Sequence, residues 1–144
     1  MKAAEPPGGT RSLLAVARFS TAEWIADLDR AAAGDAALRR ASRGVSLVVQ
    51  QTVTDGPEGD AAWHVVVDDG AVSVRPGEAP EPDVTFRQSY ETAAAIGRGD
   101  LSAQTAFMIG KLRVGGNVEL LMTHQGTFDS VEDVFEAVRG STEY

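Results

Sequence analysis

The stretch from Asp83 to Met122, DVTFRQSYETAAAIGRGDLSAQTAFMIGKLRVGGNVELLM, constrains this chain more than any other part of it. Its pattern predicts a strand, two short helices, a second strand and a further helix, punctuated by Gly97, Gly99, Gly110 and the Gly115-Gly116 pair. Phe86, Ile96, Leu101, Phe107, Met108, Leu112, Val114, Leu120, Leu121 and Met122 fall within these elements. That is more apolar side chain than a layer covering one sheet needs. Short, alanine-rich helices with two flexible methionines build an adjustable wall, so the pattern points to an apolar pocket.

The segments before it read as strands. Val45, Leu47, Val49 and Val53 alternate with polar residues, as do Trp63, Val65 and Val67, followed by Val72 and Val74 and then Val84 and Phe86. Asp69-Gly70 suits a two-residue type I′ hairpin, and the succession of strands and turns predicts an antiparallel meander. Trp63 joins the expected pocket residues from this region. Upstream, Ser20 and Glu23 have capping-box spacing, and Phe19 with Trp24 forms the matching hydrophobic staple. Trp24, Ile25 and Leu28 share a helical face. A second helix is expected over Ala36 to Arg43, ending at Gly44. Ser89 and Ser102 are expected to cap the two short helices, and Asn117 the helix through Met122. Ser130 and Asp133 repeat the capping-box spacing before a last helix, Val131 to Arg139. Residues 1–11, with Pro6-Pro7-Gly8-Gly9, are expected to form a flexible tail, leaving residues 12–144 as one domain.

Reactive chemistry is sparse. With no cysteine there is neither a disulfide nor a thiolate nucleophile or metal ligand. His64 and His124 stand in no metal-binding spacing, and no nucleophile elbow or phosphate loop is present, so no catalytic residue, metal or cofactor is expected. Asp68-Asp69 and the acids around Pro82 lack the alternation of a calcium loop. An enzyme would have to use a polar group facing the pocket, and Tyr90, Gln104 and His64 are the residues available for that. The formal charge of −8 argues against a nucleic-acid partner. No apolar run reaches membrane-spanning length, and Leu13 to Ala17 is too short for a signal-peptide core, so a cytoplasmic protein is expected.

The residues also carry a resemblance. Asp83-Val84-Thr85, followed by the run from Gly99 to Asn117, GDLSAQTAFMIGKLRVGGN, resembles the sterol carrier protein 2 family in its G-x-L-x-x-Q-x-A-F-x-x-G-K-L-x-V-x-G-[DN] signature. Phe19-Ser20-Thr21-Ala22-Glu23-Trp24 is similar to the opening of bacterial single-domain members, and the resemblance covers about residues 19–125. It implies an α/β (α+β) fold, a five-stranded, mainly antiparallel sheet covered by helices, with an apolar tunnel between the layers. It also implies non-covalent binding or carriage of a lipid, a fatty acyl chain or a sterol-like molecule. The final Thr142-Glu143-Tyr144 is not a peroxisomal address. The alternative is an accessory or dimerising module, a homodimer or a complex, whose apolar surface is buried by a protein partner.

Overall fold

The computed structural model describes residues 17–138 and 142–143. The expected tail over residues 1–11 and the helix end at Arg139 lie outside the described residues. Among them, the elements run β1 (Ala17–Arg18), α1 (Ala22–Ala33), α2 (Ala36–Ala41), β2 (Ser46–Gly56), β3 (Gly59–Asp68), β4 (Ala71–Pro76) and β5 (Val84–Ser89). They continue through α3 (Tyr90–Arg98), α4 (Ala103–Met108), β6 (Leu112–Gly116), α5 (Glu119–Thr123), α6 (Gln125–Ala137) and β7 (Thr142–Glu143).

Five strands form one sheet in the order β4-β3-β2-β5-β6. The meander expected from the turn signals holds for β2, β3 and β4, which pair antiparallel. Asp69 and Gly70 both take positive φ, 45° and 93°, as a type I′ turn requires. The meander then fails. β5 does not extend the sheet beyond β4; it crosses back and pairs parallel with the free edge of β2, and β6 adds antiparallel to β5. Two contacts fix this register. The Val48 N–H donates to Asp83 Oδ2 at 2.7 Å, and the Asp83 N–H donates to the Val48 carbonyl at 2.8 Å. On the way, the loop is held where the Ala79 N–H donates to Gln50 Oε1 at 3.0 Å.

Paired residues share a face of the sheet and neighbours along a strand alternate. One face therefore carries Leu47, Val49, Gln51 and Val53 of β2, Trp63, Val65 and Val67 of β3, Val72 and Val74 of β4, and Val84, Phe86 and Gln88 of β5, with Leu112 and Val114 of β6. The opposite face carries His64, Arg75, Thr85, Arg87 and Arg113. The buried core is almost entirely inner-face residues plus the helices laid on them. α1 lies against β4, where Leu28 and Ala32 are buried and Asp29 Oδ1 accepts from the Val74 N–H at 2.7 Å, occupying a donor of an edge strand.

Several helix ends differ from expectation. Thr21, not Ser20, caps α1, because Ser20 adopts a left-handed φ of 67° and passes the role on. Thr21 Oγ1 accepts from the Trp24 N–H at 3.3 Å and donates to the Arg18 carbonyl at 2.6 Å. The Phe19–Trp24 contact survives the shift, with ring centroids 4.9 Å apart. Ser89 and Ser102 cap α3 and α4 as expected, and Gly99 ends α3 at a φ of 85°. Asn117 does not cap α5, whose N-terminus has no side-chain cap; its N–H instead donates to the Asp83 carbonyl at 2.8 Å. No helix starts at Ser130. α6 runs unbroken from Gln125, anchored where Thr127 Oγ1 donates to the Ala41 carbonyl at 2.9 Å.

Candidate functional site

Where the sheet's β2–β5–β6 half meets α3, α6 and the start of α1, the layers do not close. A cavity of about 460 Å³ remains, inside the roughly 300–1,000 Å³ range of small-molecule sites. Its origin is the size of the side chains that face it. α3, its Gly99 cap and the first residue of α4 turn Ala93, Gly97, Gly99 and Ala103 toward the space, and Ala106, one turn further along α4, is fully buried. Short side chains on a helix held above a sheet leave volume that leucines would fill.

The sheet floor is Gln51, Trp63, Phe86 and Gln88, with Leu112 beside them. Phe19 and Trp24 close one side. The far wall comes from α6, which contributes Phe128, Val131, Glu132, Phe135 and Glu136. These sit at i, i+3, i+4, i+7 and i+8, one face of a helix. Trp63 and Trp24 are almost fully buried, whereas Gly99, Ser102, Glu132 and Glu136 are exposed, so the latter mark the cavity's open end. The aromatic side is rigid: the Trp24 and Trp63 rings meet edge to face at 5.0 Å, and Phe135 meets Trp24 at 5.9 Å.

The polar groups in the wall are few. Gln88 Nε2 donates to Gln51 Oε1 at 3.0 Å, across two strands. Partial burial against the cavity wall, with the neighbouring charges of Glu136, Asp129 and Asp133 after it, raises the Glu132 carboxyl above the ordinary glutamate value. Among the described residues, no lysine, arginine or histidine lines the cavity, and no group of three or more histidines and acids could hold a metal ion. No helix there is long and apolar enough to cross a membrane.

Of the pocket residues expected from sequence, the cavity wall includes Trp63, Phe86, Ile96, Leu101, Leu112 and Leu121. Val114 and Leu120 pack against the core without lining the cavity. Phe107, Met108 and Met122 are exposed, at 56%, 76% and 84%. For Phe107 and Met108 the reason lies in helix phase. α4 is six residues long and Ala106 takes its inward position, so Phe107 and Met108 are rotated away from the sheet. The three residues available to an enzyme also lie elsewhere. Gln104 is exposed, Tyr90 lies outside the cavity lining, and His64 is on the outer sheet face with Nδ1 2.9 Å from the Gly77 carbonyl. The stripe on α6 and the Phe19–Trp24 side are not among the pocket residues expected from sequence, although a last helix with Val131 and Phe135 on one face is the element expected to cover the tunnel mouth. The i, i+3, i+4, i+7 spacing of Phe128, Val131, Glu132 and Phe135 was a readable signal for the first.

Comparison with known proteins places this geometry among relatives. A model of the SCP-2 sterol transfer family matches residues 28–129. Sterol carrier protein 2 of Bos taurus is 39% identical over 74 residues, which cover 51% of this chain but only 14% of the bovine protein. A crystal structure of sterol carrier protein 2 superposes with a TM-score of 0.69 at 20% identity, covering 83% of this chain and 98% of that one. Palmitated sterol carrier protein 2 like 2 from Aedes aegypti gives a TM-score of 0.55 at 24% identity, covering 80% of this chain and 94% of that one.

Proposed function

Since the chain belongs to the SCP-2 sterol transfer family, we propose that it holds and carries an apolar ligand, a lipid, a fatty acyl chain or a sterol-like molecule, in the cavity between sheet and helices. The observation that carries this reading is a cavity of about 460 Å³ walled by aromatic and aliphatic side chains. The palmitated state of the Aedes aegypti protein supports an acyl chain as one ligand class. Each buried methylene contributes about 0.8 kcal/mol, so ten give roughly 8 kcal/mol, on the order of micromolar affinity before the cost of association. Binding of this kind needs no catalytic group, and the protein is read as a carrier, not an enzyme. A single domain over residues 12–144 and a cytoplasmic setting belong to the same proposal.

The test uses diphenylhexatriene, an uncharged apolar fluorophore. Phe86→Asp puts a carboxylate in the cavity floor and is expected to abolish binding, while Phe107→Asp, on the exposed side of α4, leaves it unchanged. Equal affinity in both variants would remove the cavity as the site. A second reading, an accessory or dimerising module, is favoured by the exposure of Phe107, Met108, Ile109 and Met122. Light scattering that finds a strict monomer, together with lipid binding, eliminates it.

A further inference from the structure

The cavity floor holds a polar pair whose bonding is half used. Gln51 on β2 and Gln88 on β5 sit on the inner sheet face beside Trp63 and Phe86, both half-buried. Gln88 Nε2 donates to Gln51 Oε1 at 3.0 Å. That bond leaves the Gln51 Nε2 protons and the Gln88 Oε1 lone pairs without a partner among the described residues, although both side chains line the cavity. Reversing both amides exchanges the two residues' roles and nothing else: the pair always leaves N–H protons on one amide and carbonyl lone pairs on the other. An alkyl chain laid over it would strip water from both and return no hydrogen bond.

We propose that Gln51 and Gln88 are the head-group anchor of this cavity, and that they select an uncharged amphiphile bearing a group that both donates and accepts, such as a long-chain alcohol, over an ionised lipid. A hydroxyl accepts from Gln51 Nε2 and donates to Gln88 Oε1. A carboxylate can only accept, so it faces the Gln88 carbonyl oxygen with like polarity. No cationic side chain among the described lining residues compensates it, and Glu132 and Glu136 line the same cavity. An ammonium can only donate and leaves the Gln51 donors unpaired.

This inference rests on the carrier reading, and one competition experiment separates the two. Diphenylhexatriene bound to the protein is displaced by hexadecanol, hexadecane or hexadecanoate, the last at a pH where it is ionised. Hexadecanol is expected to bind about tenfold more tightly than either of the others, the scale of one satisfied buried hydrogen bond. In the Gln51→Leu/Gln88→Leu variant hexadecanol is expected to displace the fluorophore no better than hexadecane does. Hexadecanoate binding as tightly as hexadecanol overturns the inference and leaves the carrier reading standing. So does an alcohol advantage that survives in the double variant. Failure of diphenylhexatriene to bind the unaltered protein overturns both.

Discussion

Replacing Ala93 by leucine separates a cavity from a packed core by the sign of its effect. Ala93 lies on the inward face of α3, is 5% exposed and lines the cavity. In a full core the added carbons would force neighbours off their rotamers and cost about 1–3 kcal/mol. Here they enter open apolar space. Three added carbons at about 0.8 kcal/mol each give roughly 2.4 kcal/mol. Fixing the leucine rotamer takes back about 0.5–1 kcal/mol, so stability rises by about 1.5 kcal/mol. A ligand loses the same space, and about 2.4 kcal/mol of lost burial is a roughly fiftyfold weaker dissociation constant. Urea unfolding followed by far-ultraviolet circular dichroism reads the first effect, and a diphenylhexatriene titration reads the second. A variant that is destabilised by 1 kcal/mol or more with unchanged binding would refute the reasoning, because Ala93 would then face a filled interior.

Three further outcomes follow from the same structure. Thr21→Ala removes the hydroxyl that accepts from the Trp24 N–H and should lower unfolding free energy by about 1 kcal/mol, whereas Ser20→Ala should change it little. Gly116→Ala meets two obstacles, a φ of 79° and the backbone carbonyl of Asp83 in the path of the new Cβ, so it should destabilise by more than about 1 kcal/mol in the same urea assay. Glu132→Gln tests the raised carboxyl. Folded Glu132 holds its proton more firmly than the unfolded chain does, so its stability contribution is full below the ordinary glutamate value and is lost as pH rises through the raised one. Thermal melts should therefore show the variant more stable than the parent at neutral pH and equal to it in acid.

Local order was legible in the sequence because local rules produce it. Ser89 and Ser102 cap the helices they precede, and Asp69-Gly70 makes the turn its φ preferences allow. Pairing was less legible. The turn signals after β4 say that the chain reverses, but not that it crosses to the other edge of β2; that choice rests on Asp83 meeting Val48, 35 residues away. The same limit applied to the cavity. Hydrophobicity marked Phe107 and Met108, yet the phase of a six-residue helix is fixed by what its alanines touch, and Ala106 turns them outward. Val114 and Leu120 have the right chemistry and pack against the core without reaching the cavity. Phe19 and Trp24 reach the cavity only because α1 lies over the sheet, a tertiary fact. Gln51 and Gln88 read as ordinary polar strand positions until the parallel pairing of β2 with β5 sets them side by side.

The edge-to-face contact of Trp24 and Trp63 has a consequence of its own. The chain has two tryptophans, and both line the cavity, 5.0 Å apart and inclined at 74°. Transitions on two indoles so close and so steeply inclined couple, and their near-ultraviolet signal depends on the angle between them. Intrinsic emission comes from the same two rings. The molecule therefore carries a built-in optical gauge of cavity occupancy: an absorbing guest should drain excitation from the indoles by energy transfer. A transparent guest that tilts either ring should alter the coupled band with no label attached.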